Sequence, residues 1–188
     1  MVIERFGDRA VFGALEDEIG RMALDEIIAL EMATITAPLD EVVDWILAHV
    51  RVRAGFSELV EALDPLIVSA GFHETIDPIL RREGVQARVV ANHVTANPAG
   101  WRAAFPDAPP CEVCGERCKR RTVNGLGRFA YVGDGVSDRC VSLAADRRFA
   151  RAGLAAWLGE QGVAYEPFDD LFDVLRAMNA TGSVPAGD

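Results

Sequence analysis

Lysine is all but missing from this chain. Of its 19 lysines and arginines only Lys119 is a lysine, which leaves 18 arginines among 188 residues. A chain that otherwise uses the planar arginine fork keeps one compact ammonium, which marks Lys119 as a candidate for a site that needs a point charge. A solvated charge retained by chance fits the same count. Positive charge as a whole is scarce: 29 acidic residues against 19 basic ones give a net charge of -10. Nucleic-acid affinity rests largely on clustered Lys and Arg, so no DNA or RNA partner is expected. No apolar run approaches the roughly 18 residues of a membrane span, and the opening Met1-Val2-Ile3-Glu4-Arg5 has no basic stretch leading into an apolar core. The expectation is a soluble cytoplasmic protein with no membrane partner. Cysteine is sparse too, and three of the four sit within eight residues, at Cys111, Cys114 and Cys118. That spacing is poor for an extracellular disulfide framework and suits reduced thiols or a metal. The three histidines, His49, His73 and His93, are isolated along the chain.

What is present is an apolar half of the composition, enough to bury a core for one domain and a small appendage. Asp8 is placed to cap a helix through Val11, Phe12, Leu15, Ile19 and Met22, and Leu24, Ile27, Ile28 and Met32 continue its spacing. Pro38 opens a second segment with Val42, Val43, Ile46 and Leu47 on one face. A short helix at 56–63 follows. Pro65-Leu66-Ile67-Val68 then reads as a buried parallel strand reaching its loop at Ser69-Ala70-Gly71-Phe72. The pattern further predicts a helix over 73–82 stopped by Gly84, a strand over 87–92, and a turn at 97–100 into a hairpin arm at 101–105. Beyond a Pro- and Cys-rich loop at 106–117 come a strand at 128–132, a helix at 136–145, a strand at 148–150, a helix at 154–160 closed by Gly162, a strand at 163–165 and a helix at 171–178. Alternating strands and helices argue an open parallel α/β sheet that binds ligands beyond its carboxyl ends. Ser69 and Asp134 both fall at such ends.

The stretch richest in chemistry is Tyr131-Val132-Gly133-Asp134-Gly135-Val136-Ser137-Asp138. Two carboxylates four residues apart, the first on a Gly-flanked turn at a strand's edge, suit a hard cation held at the mouth of a parallel sheet. A turn in which Asp134 or Ser137 merely caps the next helix fits the same spacing.

Taken in order, Leu66-Ile67-Val68-Ser69-Ala70-Gly71-Phe72, Cys118-Lys119 and Gly133-Asp134-Gly135-Val136-Ser137-Asp138 resemble the second, third and fourth motifs of the haloacid dehalogenase (HAD) phosphatase superfamily. The likeness covers nearly the whole chain and is strongest to the phosphoserine-phosphatase-like branch. Glu112 to Lys119, Gly135 to Cys140 and Tyr165 to Asp170 narrow it to the 2,3-diketo-5-methylthio-1-phosphopentane phosphatase type of methionine salvage. The resemblance implies an HAD-like Rossmannoid parallel sheet with an N-terminal helical cap, divided as a cap at 1-54, a core at 55-178 and a flexible tail at 179-188. It implies a Mg²⁺-dependent phosphomonoester hydrolase for a small phosphorylated metabolite. Ser69, with the backbone of Ala70 and Gly71, would bind phosphate oxygens, and His73 would face them. Lys119 would neutralise phosphate charge, Asp134 would ligate Mg²⁺, and Asp138 would complete or orient the metal's shell. Arg51, Arg53 and Phe56, where the cap returns to the core, are further expected substrate contacts.

One part of the family pattern is absent. Members open with an apolar strand ending in Asp-x-Asp-Gly-Thr, which carries the nucleophile and the general acid, whereas the aspartates before Ser69 are Asp8, Asp17, Asp25, Asp40, Asp44 and Asp64. None forms an Asp-x-Asp pair. The expectation is therefore an N-terminally truncated form of the enzyme, lacking the first core strand and inactive as it stands. Phosphoserine phosphatase is the alternative enzyme, and a non-catalytic phosphate-binding or interaction protein is the alternative of another class. Cys111, Cys114 and Cys118 offer three thiolates for Zn²⁺, with Cys140 a fourth if the two segments converge. A homodimer is left open.

Overall fold

The computed structural model describes residues 2–180, so the tail expected at 179-188 lies almost wholly outside the described residues. By internal contacts the chain forms two compact units. One holds the residues up to Arg51 together with Ser69–Pro109, and the other holds Val52–Val68 together with the residues from Pro110 onward. In the first unit the N-terminal helices share a core with later strands.

In the first unit α1 (Val2–Phe6) is followed by α2 (Arg9–Glu16), which starts where Asp8 places it. The Asp8 carboxylate accepts the N–H groups of Ala10 at 2.8 Å and Val11 at 3.2 Å, satisfying two orphan donors of the first turn. The apolar spacing that reads as continuous to Met32 is interrupted over residues 17–23, where Gly20 takes a φ of 88°. A left-handed residue ends helical propagation, and α3 (Leu24–Ala33) starts afresh. Helix α4 (Leu39–His49) begins directly after Pro38, whose fixed φ suits a helix entry.

The strands of this unit are built on α6 (His73–Glu83), β2 (Arg88–Thr95) and β3 (Arg102–Ala104). The expected hairpin arm is present: β2 and β3 pair antiparallel with Thr95 opposite Arg102. Asn97 makes the connection, its Oδ1 accepting the Ala99 N–H and its carbonyl the Gly100 N–H, an Asx-type turn. Gly100 has φ 120°, and a Cβ there would stand 2.3 Å from the Ala33 carbonyl oxygen. Trp101 can therefore drop into the core formed by Ile3, Met32, Ile35, Val42, Ile46, Phe72 and Val94. Its indole N–H donates to the Ala37 carbonyl at 2.8 Å, so the ring buries no unpaired polar atom.

The second unit contains α5 (Phe56–Leu63) and a wholly parallel sheet, β4 (Ala130–Gly133), β5 (Arg147–Ala150) and β6 (Glu166–Pro167), in that spatial order. With β1 (Leu66–Phe72) beside β2 and β3 in a separate sheet, the strands form two three-stranded sheets. Strand β1 does not stop before Ser69 as the apolar run suggested; it continues to Phe72, where α6 starts. The helix expected over 136–145 is a 3₁₀ turn, Val136–Asp138, and one turn of α7 (Arg139–Ser142).

The remaining helices are α8 (Ala152–Glu160) and α9 (Leu171–Ala180). The strand expected at 163–165 lies at Glu166–Pro167 because those residues are used to end α8. Gly162 is left-handed and the Val163 N–H returns to the Leu158 carbonyl at 2.9 Å, the closing bond of a Schellman motif. Leu59, Phe149, Phe168 and Val174 form one buried cluster, and Ala150, Leu154 and Leu158 another. No helix among the described residues is long and apolar enough to cross a membrane.

Replacing Trp101 by Ala should lower stability by about 3–5 kcal/mol, read as a drop in the urea midpoint with an unchanged slope. A loss under 1 kcal/mol would show that Trp101 does not anchor this core.

Candidate active site

The acidic turn is built by β4. Its last residue, Gly133, is required there: any Cβ would stand 2.7 Å from Asp138 Cγ. That bare backbone lets the Asp138 side chain fold back under the turn, where Oδ2 accepts the N–H groups of Asp134 and Gly135, each at 2.9 Å. Asp138 thus serves the N-terminus of its own 3₁₀ turn, as a side chain three residues into a helix does. Its other oxygen, Oδ1, accepts the Lys119 Nζ ammonium at 2.6 Å and the Tyr131 hydroxyl at 2.7 Å. A carboxylate offers about four lone-pair sites, and all four are in use.

These contacts decide Asp138's role. Burial pushes its carboxyl upward, but the Lys119 ammonium, the Tyr131 hydroxyl and the Gly135 N–H together hold it below the ordinary carboxylate range. Burial, reinforced by the negative charge of Asp138, raises the Tyr131 phenol, which stays a donor. Asp138 is expected to complete or orient a metal shell; with four donors on its two oxygens it has no acceptor site left over, whereas Asp134 is the carboxylate of the turn that faces solvent. The Asp134 side chain is 60% exposed and forms a loose ion pair with Arg151, whose Nη1 lies 3.9 Å from Oδ2.

Sheet register brings Arg151 to this place. Gly133 lies opposite Ala150 in the β4–β5 pair, so the residues that follow, Asp134 and Arg151, leave the same sheet edge. The backbone repeats the link: the Arg151 N–H donates to the Gly133 carbonyl at 3.3 Å and the Leu154 N–H to the Asp134 carbonyl at 3.0 Å. Arg151 Nε is buried without a partner, an unpaired cationic donor of a kind that normally finds an acceptor. Ala152 beside it takes φ 47°; a left-handed non-glycine is strained, and such residues cluster at functional sites. Tyr131 and Arg151 were not singled out by the sequence. Tyr131 is one of only two tyrosines, while Arg151 carries no signal among 18 arginines until the register is known.

An exposed, acceptor-only carboxylate at a sheet edge fits Mg²⁺, which binds through one or two carboxylates and keeps several waters. An anion would find Lys119 and Arg151. Lys119, Asp134 and Asp138 are therefore brought together within the second unit. Ser69, Ala70, Gly71 and His73 belong to the first unit. There the Ser69 hydroxyl accepts the Gly71 N–H at 3.0 Å, and Ala70's carbonyl accepts the Asn92 side-chain amide at 2.9 Å. His73 and His93 are not isolated: their rings stack at 4.8 Å, and Glu74 holds His93 Nδ1 and the Val94 N–H, both at 2.9 Å. Of the expected substrate contacts, Arg51 donates to the Ala48 and Val50 carbonyls and Arg53 to that of Asp169.

The cysteines also converge. The Sγ atoms of Cys111, Cys114, Cys118 and Cys140 all lie within 4.8 Å of one another, and none is in a disulfide. Backbone N–H groups of Cys114 and Val113 lower the Cys111 thiol to about 6, whereas burial raises Cys118 and takes Cys140 up to about 11.

Asp138→Asn should destabilise the protein by about 3 kcal/mol, because one partner of a buried pair is left uncompensated. The pH dependence has a definite sign. A carboxyl held below its unfolded value of roughly 3.9 binds fewer protons folded than unfolded, so its stabilisation is full above pH 4 and fades as pH falls through the folded pKa. The gap between wild type and Asp138→Asn, measured by urea unfolding at several pH values, should narrow only on the acid side. A gap constant from pH 7 to pH 2.5 would refute the assignment. Gly133→Ala should act in the same direction by displacing Asp138.

No protein-family model matches the chain. The 2-hydroxy-3-keto-5-methylthiopentenyl-1-phosphate phosphatase of Geobacillus kaustophilus (strain HTA426) is 28% identical over 179 residues, covering 88% of this chain and 81% of that protein. The protein of the same name from Geobacillus thermodenitrificans (strain NG80-2) is 27% identical, covering 86% and 80%. Among solved structures, phosphoserine phosphatase from T. onnurineus superposes with a TM-score of 0.64 at 15% identity over 90% of this chain and 81% of its own. A probable phosphoserine phosphatase from Vibrio cholerae gives 0.60 at 13% identity over 95% and 59%. The α/β architecture and the homology agree with the motifs: the chain is haloacid dehalogenase-like, a homologue of phosphatases of that kind.

Proposed function

We propose that the acidic turn is the cation and phosphate grip of a Mg²⁺-dependent phosphomonoester hydrolase that acts on a small phosphorylated metabolite in the cytoplasm. One observation carries the reading: a parallel-sheet edge presents an exposed carboxylate, Asp134, beside an arginine with an unpaired buried donor, on a turn whose N–H groups are held by the same Asp138 that holds the only lysine. In phosphoryl transfer negative charge spreads over the three equatorial oxygens, so catalysis is chiefly positioning and charge neutralisation. Lys119 supplies a compact ammonium and Arg151 a planar donor set. Asp134 would hold Mg²⁺, which neutralises phosphoryl charge when bound. Asp138 does not touch substrate; it fixes Lys119 and the backbone of the turn.

The substrate assigned first is the enol phosphate for which the relatives are named. Attack on phosphorus requires a nucleophile, and these 188 residues contain no Asp-x-Asp pair. The share of the reaction given to them is therefore binding and charge neutralisation.

Calorimetry with inorganic phosphate tests this directly. Mg²⁺ should tighten phosphate binding about tenfold, and Asp134→Asn should remove that gain while leaving the metal-free affinity nearly unchanged. Asp134 is exposed, so this substitution should not unfold the protein. Arg151→Ala should weaken phosphate binding with or without Mg²⁺. Phosphate binding that Asp134→Asn leaves fully Mg²⁺-dependent would overturn the proposal.

A further inference from the structure

The cysteine cluster lies outside the machinery assigned to phosphate. Three sulfurs come from one loop, Cys111, Cys114 and Cys118, and the fourth, Cys140, from α7, 22 positions further along. Four ligand atoms from two separate segments reach mutual distances of at most 4.8 Å, with Cys111 and Cys140 at 3.9 Å. Tetrahedral zinc with Zn–S of about 2.3 Å sets its sulfurs about 3.8 Å apart. The cluster is nearly at that size, and far wider than the roughly 2.05 Å of a disulfide bond.

The backbone around it is shaped for sulfur ligands. The Cys111 N–H donates to the Glu116 carbonyl and the Gly115 N–H returns to the Cys111 carbonyl, each at 2.8 Å, with Gly115 left-handed at φ 75°. This closed turn points the N–H groups of Val113 and Cys114 at the Cys111 sulfur, and the Arg120 N–H likewise addresses Cys118. N–H groups aimed at ligand sulfurs are the outer-shell partners that orient the first shell of a metal site. Packing is a poor rival explanation, since none of the buried apolar clusters among the described residues includes any of the four cysteines. Residues 105–118 form no helix or strand, and a loop that long without its own apolar core needs some other tie.

We propose that Cys111, Cys114, Cys118 and Cys140 form a closed tetrathiolate site for one structural Zn²⁺. All four positions are filled by protein, so the ion has no open site for catalysis. Its effect is mechanical: Cys118 precedes Lys119 and Cys140 lies two residues beyond Asp138. The metal clamps the two segments that carry the lysine–aspartate pair and holds that pair in register. The site stands on the cysteine geometry and does not depend on the reaction assigned to the acidic turn.

The full chain, purified without chelator, should contain about one zinc per polypeptide by inductively coupled plasma mass spectrometry. Its four thiols should react with a disulfide reagent only after denaturation or chelation. Cobalt(II) in place of zinc should give thiolate charge-transfer absorption and the intense visible bands of a tetrahedral ion. Cys114→Ser, at an exposed position that should leave the fold intact, is expected to weaken zinc binding at least roughly tenfold and to lower the melting temperature. Val113→Ser, equally exposed but not a ligand, should change neither. Protein holding less than a tenth of an equivalent of zinc with four freely reactive thiols, iron in zinc's place, or a mass two hydrogens short from a Cys111–Cys140 disulfide would each overturn the proposal. Phosphate binding serves as the separate control: its loss without loss of zinc would sink the phosphate reading and leave this one standing.

Discussion

A single buried carboxylate organises the second unit. Asp138, only 4% exposed, gathers Lys119 from the start of a 3₁₀ turn at Lys119–Val123, Tyr131 from β4 and two N–H groups from the turn that follows β4. Removing an ion from water costs several kcal/mol, and attraction to one partner does not reliably offset it. What makes this burial tolerable is complete satisfaction: four donors for four acceptor sites, one of them a full positive charge. The arrangement is all-or-none, because losing any donor exposes the desolvation cost of the rest. Gly133 belongs to the same constraint, since its missing side chain is the space that Asp138 occupies.

From that anchor the working groups are placed rather than merely gathered. Asp138 fixes the N–H groups of Asp134 and Gly135, and these aim the Asp134 carboxylate outward from the end of β4. The neighbouring strand delivers Arg151 to the same edge by register alone. Parallel sheets repeatedly place ligands beyond their carboxyl ends for this reason: each strand ends in a turn whose next residue is free to face solvent. Strain at Ala152 and an unpaired Arg151 Nε come together at that edge. Both are costs that a bound anion would relieve in part.

How much of this could be read from the sequence follows from how local each feature is. The Asp8 cap, the stop at Gly84, the hairpin turn at Asn97 and the Gly-Asp-Gly-x-x-Asp turn each depend on a few adjacent residues, and each is legible. Lys119 stood out by being alone. Arg151, Tyr131 and the pairing of His73 with His93 depend on which strands are neighbours and in what register, so they carry no local mark. The displaced β6 has the same origin in miniature. Its residues look strand-like from 163, yet the Schellman closure of α8 takes Val163 first, and pairing with β5 begins only at Glu166.

Asp134 and Asp138 show why the spacing alone was not enough to divide their roles. They are chemically identical, four residues apart, and equally plausible ligands on paper. Burial separates them. The carboxylate surrounded by four donors has no lone pair left for a cation and acts as a brace, while the other, left 60% exposed, has only a loose ion pair with Arg151. The proposed function would use both: a rigid negative charge to hold an ammonium in place, and a more open one to meet a metal. The same sequence letter does both jobs because the backbone gives one of them a glycine to hide behind.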